Sequence, residues 1–116
     1  MSNKIKGVAN ETIFLTVSLA IAALFIAGSG FSAEVVNVQI SDFTFKPETI
    51  NIKPGTTVTW VNTDNAPHTI TSNDGSWDSG KMNKSAEYSH TFDKAGTFEY
   101  SCAFHSSMTG SVIVSP

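Results

Sequence analysis

The string Cys102-Ala103-Phe104-His105-Ser106-Ser107-Met108 places a thiol, an imidazole and a thioether at the spacing C-x2-H-x2-M. A loop that short can gather all three side chains around one point. Sulfur and imidazole are donors for a transition metal. A further donor has to come from elsewhere, and the loop Asn62-Thr63-Asp64-Asn65-Ala66-Pro67 delivers His68. Cys102 is the single cysteine of the chain. It can form no internal disulfide, and outside the cell a lone thiol has to be buried, reactive or metal-bound. Taken singly, Cys102 reads as a buried structural thiol, His68 as a loop histidine and Met108 as a core filler. The combination and its order carry the metal reading.

Two imidazoles and one thiolate with a weak axial methionine form the ligand set of blue-copper electron-transfer centres. Soft sulfur suits Cu(I) and imidazole suits Cu(II). A site held between the two preferences changes little when an electron moves. Zinc is the plain competitor for Cys and His, but structural zinc sites favour two or more cysteines and have no use for a methionine.

The elements that must hold these donors read as strands. Val36, Val38 and Ile40 alternate with polar neighbours; Phe43 and Phe45 alternate on the opposite parity, which predicts a bulge near Ser41-Asp42. Ile50 and Ile52 lead to the turn Lys53-Pro54-Gly55, and Val58 and Trp60 follow. Asn73 to Gly80 reads as a loop. Ala86, Tyr88, His90 and Phe92 share one parity, and after Asp93-Lys94-Ala95-Gly96 the residues Phe98, Tyr100 and Cys102 share one face, which predicts a hairpin. Gly110-Ser111-Val112-Ile113-Val114 closes the domain. Seven or eight short strands predict an all-β, two-sheet antiparallel Greek-key sandwich. His90 falls at the turn end of its strand, away from Cys102, and reads as a partly buried structural histidine. Met82 reads as a residue of a polar loop rather than a ligand, and Trp60 and Trp77 as packing residues. Asn83-Lys84-Ser85 matches a glycosylation acceptor, a short and weak motif.

From Glu34 to Pro116 the chain resembles the small cupredoxins of the plastocyanin and amicyanin type. The resemblance is carried by Trp60-Val61-Asn62 leading to Pro67-His68, by Gly96-Thr97-Phe98-Glu99-Tyr100-Ser101-Cys102, and by the closing Gly110 to Val114. The short loop from Cys102 to Met108 is closer to amicyanin than to plastocyanin or azurin, whose loops are longer. The resemblance implies one copper ion cycling between Cu(I) and Cu(II), with His68, Cys102 and His105 as equatorial ligands and Met108 as the axial one. It also implies that His105 reaches the surface through a small apolar patch, to which Ala66, Pro67 and Phe104 would contribute, and that the Cys102 strand offers a second route toward Tyr100. Two departures stand out. Thr69 follows the first histidine where the family often has Asn, and its hydroxyl is expected to brace the ligand loop in its place. Phe104 and Ser106-Ser107 replace amicyanin's prolines and phenylalanine around the second histidine.

The first third differs from the rest. Lys4 and Lys6 precede an uncharged stretch from Thr12 to Ala33 that ends in Gly28-Ser29-Gly30-Phe31-Ser32-Ala33. A basic start, an apolar run and a small-residue exit describe a secretory signal peptide. The run is also long enough to cross a bilayer as a helix, which needs about 20 residues. Residues 1–33 are thus expected to be an N-terminal hydrophobic helix serving as a signal peptide or as a membrane anchor through 13–33. Residues 34–116 are expected to form the copper domain. Either way the basic start leaves the domain outside the cytoplasm: periplasmic, extracellular or tethered to the outer face of the membrane. The net charge of −3 and the absence of a basic run argue against nucleic acid. No nucleophile–base pair or paired carboxylates are evident, so an enzyme is not expected. The expected role is a monomeric one-electron carrier that docks transiently with redox proteins near His105. The alternative is an extracytoplasmic copper-delivery protein using the same ligands, and a third possibility is a structural sandwich with an incidental thiol.

Overall fold

Period-2 burial organises the chain. In the computed structural model, which describes residues 34–116, strand β4 (Thr56–Asn62) buries Thr56, Val58, Trp60 and Asn62 and turns the alternate residues outward. A strand alternates its side chains between two faces, so a polar residue that keeps the parity of a core tryptophan is driven inside with it. β1 (Val35–Ser41) does the same with Val38 and Ile40, β3 (Thr49–Ile52) with Ile50 and Ile52, and β7 (Gly96–Cys102) with Tyr100 and Cys102. The remaining strands are β2 (Thr44–Lys46), β5 (Thr71–Ser72), β6 (Glu87–Phe92) and β8 (His105–Val114). The signal or anchor segment expected at 1–33 lies outside the described residues.

The strands form two four-stranded sheets, ordered β2-β1-β4-β6 and β3-β8-β7-β5. The all-β two-sheet class is as the alternation predicts. The pairing is mixed rather than uniformly antiparallel, because β1 runs parallel to β4 and β3 parallel to β8. Three details depart from the sequence reading. β6 and β7 do not form a hairpin: β6 pairs with β4 and β7 with β8 and β5, so Asp93 to Ala95 carries the chain from one sheet to the other. Alternating parity is the same for a hairpin and for a cross-sheet connection, and only the packing of two buried faces separates them. The bulge expected near Ser41-Asp42 is a two-residue turn, with Ser41 paired to Thr44 and positive φ at Asp42 and Phe43. Met82, read as part of a polar loop, is 3% exposed and pairs its backbone with that of His68.

The core between the sheets is centred on Trp60 and Tyr100, whose side chains meet across it. The Trp60 indole N–H donates to the Tyr100 hydroxyl over 3.1 Å. Trp77 stacks on Trp60, and Phe45 meets the Tyr100 ring edge-on. Gly110 lies opposite Tyr100 in β8, and a Cβ there would collide with the tyrosine ring. Only glycine lets the ring lie flat on the neighbouring strand. Burial holds the Tyr100 phenol up at about 12, with the Trp60 hydrogen bond opposing and Glu48 reinforcing the rise. This layer sits directly beneath the chemistry, because Tyr100 is two residues from Cys102 on the same inward face.

Candidate metal centre

The end of β7 is where the donors gather. Along β7 and β8 the register runs regularly to Ser101↔Thr109, then jumps to Cys102↔His105. The jump leaves Ser106, Ser107 and Met108 without β7 partners. It lets a tight turn at Ala103-Phe104 bring His105 back beside Cys102. A regular hairpin would have carried His105 past the thiol. Cys102 is 1% exposed, Met108 is buried within the same irregular segment, and His105 is half-buried.

His68 reaches the same point from the connection between β4 and β5. Its backbone N–H donates to Met82 O over 3.1 Å and its carbonyl accepts from Met82 N–H over 2.8 Å, which fixes where the ring starts. Asn62, buried on the Trp60 parity, holds the loop between. Its amide donates to Ala66 O and to Met82 O, and its Oδ1 accepts from Asp64 N–H. The His68 ring is fully buried, with Nδ1 3.8 Å from Cys102 Sγ. His105 Nδ1 lies 3.6 Å from the same sulfur. Among the described residues, His68, Cys102 and His105 are the one group whose ligand atoms converge, all within 4.8 Å of one another.

Asp64 sets the state of His68. Its Oδ2 lies 2.9 Å from His68 Nε2. Partial burial raises the Asp64 carboxyl, but the Phe43 N–H, the His68 ring and the Asp42 N–H outweigh it, and the net effect is a lowered pKa. The carboxylate is therefore ionised at neutral pH and can only accept. The proton of a neutral His68 ring then sits on Nε2, and Nδ1 presents its lone pair toward the thiol. A carboxylate behind the second nitrogen is the usual way a ligand histidine is oriented and made more basic.

Thr69 does the bracing expected of it. Its backbone N–H points at Cys102 Sγ over 3.4 Å, and its hydroxyl oxygen accepts from Ala103 N–H over 2.7 Å. The first contact directs a donor at the sulfur; the second ties the Cys102 turn to the segment that carries His68. Sequence reasoning missed Asn62 and Asp64 as parts of the site. Asn62 carried a signal, a polar residue on a core parity. Asp64, four residues before His68, carried only its spacing.

The donor set fits a single small ion. Two donors at about 2.0–2.3 Å from one centre and about 120° apart lie about 3.7 Å from each other, and the two sulfur–nitrogen separations bracket that value. The arrangement is a buried cysteine sulfur and two imidazoles in a three-membered cluster at one end of a Greek-key sandwich. The Cupredoxin-like domain family matches residues 13–114. The chain belongs to that family. It is 33% identical to amicyanin of Paracoccus denitrificans over 82 residues, which cover 66% of this chain and 63% of that protein. It is 37% identical to plastocyanin of Scenedesmus fuscus over 83 residues, 60% of this chain and 85% of that one. An amicyanin variant solved in a Cu(I) form superposes with TM-score 0.66 and 30% identity, over 70% of this chain and 82% of its own. A purple cupredoxin from Nitrosopumilus maritimus superposes with TM-score 0.64 and 31% identity, over 69% and 99%.

Proposed function

We propose that the chain is a blue-copper electron carrier that holds one copper ion through His68 Nδ1, Cys102 Sγ and His105 Nδ1, with Met108 as the weak axial donor. The observation that carries this reading is the convergence of both Nδ1 atoms on one buried sulfur, at 3.8 and 3.6 Å. Bound copper supplies a one-electron couple between Cu(I) and Cu(II). The protein's part is to keep the donors from moving between the two states. Asp64 fixes the His68 tautomer, Thr69 pins the Cys102 turn and the Met82 backbone anchors His68. The role is that of a carrier rather than an enzyme.

His105 is the place where a partner comes nearest the donors. Its ring is half-buried, while Phe104 beside it is 51% exposed and Ala66 and Pro67 are half-buried. This rim is suited to brief docking by redox proteins, and the carrier acts as a monomer. The 1–33 segment is proposed as a signal peptide or membrane anchor that places the 34–116 domain outside the cytoplasm. The buried cysteine and His68 favour retention of copper over its delivery.

Titration with Cu(II) tests the reading. The wild-type chain is expected to turn intensely coloured at one equivalent, through the thiolate–copper bond, and Cys102→Ala to stay colourless. A colourless wild-type titration sinks the proposal. A Met108→Leu variant that keeps the colour but shifts the potential supports the axial assignment.

A further inference from the structure

The strained turn between β1 and β2 points at the donors. Asp42 and Phe43 have φ of 53° and 56°, the left-handed region that bulky residues rarely occupy. A type I′ hairpin turn needs that conformation at both central positions, where Asn, Asp or Gly followed by Gly is normal, so Phe43 is the unusual residue. Such backbone persists where the surroundings over-determine it. Here Asp64 does so: Oδ1 accepts from Asp42 N–H over 2.8 Å and Oδ2 from Phe43 N–H over 2.9 Å. That same Oδ2 accepts from His68 Nε2. Thr63, its neighbour, ties the strand end through Ile40 O. One carboxylate therefore locks both a histidine ring and the turn above it.

The turn places the Phe43 ring where solvent would otherwise reach the histidines. Its centroid is 4.9 Å from His68 and 4.8 Å from His105, edge-on to both. Phe43 is nevertheless 49% exposed. A residue with half its surface in water and a strained backbone is not placed there by core burial.

We propose that the Asp42-Phe43 turn is a fixed aromatic lid over the His68–His105 pair, clamped by Asp64, and that Phe43 positions the His105 ring and limits the access of small ligands to the donors. Only the access part rests on the copper reading. His105 lacks the carboxylate brace that His68 has from Asp64, so its ring depends on apolar contacts, and Phe43 supplies the one from above. The lid also explains why a phenylalanine is tolerated at a position whose backbone asks for glycine: the ring contacts are the return on the strain.

Proton NMR of the full-length, metal-free chain tests the lid directly. In the wild type the His105 ring protons are expected to be displaced by the Phe43 ring, 4.8 Å away. Phe43→Leu is expected to abolish that displacement, and Phe43→Tyr to keep it. Asp64→Ala, with Phe43 intact, is expected to abolish it as well, because the turn is no longer held. Asp64→Ala also frees the His68 ring, which lies 5.2 Å from that of His105, so the same substitution is read in a Phe43→Leu background, where an equally large change would belong to His68 and overturn the clamp. In the Cu(II)-loaded chain, azide should perturb the visible band of Phe43→Leu at about tenfold lower concentration than the wild type, the factor set by losing aromatic contacts of this kind. Unchanged His105 resonances in Phe43→Leu overturn the lid, and unchanged resonances in Asp64→Ala overturn the clamp. Equal azide sensitivity overturns the access role. A chain that binds no copper overturns the copper reading, while the metal-free measurement still decides the lid.

Discussion

Two histidines, His68 and His90, both lie on strands or loops whose parity sends them inward, and they have opposite fates. His68 is fully buried, with a carboxylate on one nitrogen and a thiol facing the other. His90 is half-buried, stacked on Trp77 at a centroid distance of 5.0 Å and edge-on to Phe92 at 4.7 Å. Burial lowers the His90 pKa, with Asp93 opposing, so its ring is held neutral and serves as aromatic surface. Burial alone does not mark a ligand. What sets His68 apart is that both nitrogens are committed in opposite directions, one to the Asp64 carboxylate and one toward the Cys102 sulfur.

Substituting each histidine in turn is the sharpest way to break this comparison. His68→Ala is expected to lose the coloured copper complex and to weaken copper binding by more than about 100-fold, since even the partners that orient ligands are worth 10–100-fold. His90→Phe should bind copper as the wild type does. Competition against a chelator of known affinity measures both, and equal losses would end the distinction between the two sites. Next in size is Thr69→Val, which keeps the volume but removes the acceptor for Ala103 N–H. It is expected to weaken copper binding by about tenfold or more and to destabilise the metal-free protein by about 0.5–1.5 kcal/mol, the net worth of one hydrogen bond whose amide, on exposed Ala103, can turn to water, read by urea unfolding.

The layer joining the two regions gives a smaller effect at the copper site. Tyr100→Phe leaves the buried Trp60 indole N–H without its acceptor and should cost about 1–2 kcal/mol. The copper spectrum should stay nearly unchanged, since the ligands are untouched. The smallest effect is the pH response of His90. Its pKa in the folded state is depressed below the ordinary 6.5, so the unfolded chain binds the proton more readily. Its stabilising contribution is complete above about pH 6.5 and is lost as pH falls through the folded value. Unfolding of the metal-free protein between pH 7.5 and about 5 should show a decline that is smaller in His90→Phe. An identical decline in both would assign it elsewhere.

The strand parities were legible because alternation is local: Val38, Ile40, Val58, Trp60, Tyr100 and Cys102 are all buried as their spacing requires. Pairing was less legible. The sequence reading made a hairpin of the segments flanking Asp93 to Gly96, whereas they belong to different sheets. Local alternation says which face is apolar but not which strand lies alongside. Met82 was misplaced for a similar reason, since its polar neighbours hid a backbone pairing with His68.

For the site, the sequence by itself determined the ligand turn. Cys102 and His105 are so close in the chain that a tight turn between them can bring a thiol and an imidazole together, as the Cys102↔His105 pairing does. Only the tertiary structure decided what holds His68 and what covers it. Asp64 bonds to backbone more than twenty residues away, at Asp42 and Phe43 (|i−j| of 22 and 21), and His68 meets Cys102 across 34. Contacts of that range exist only once two sheets have packed and fixed the distance between their loops. No local spacing rule could announce that one carboxylate meets the His68 ring and both amides of the turn above it.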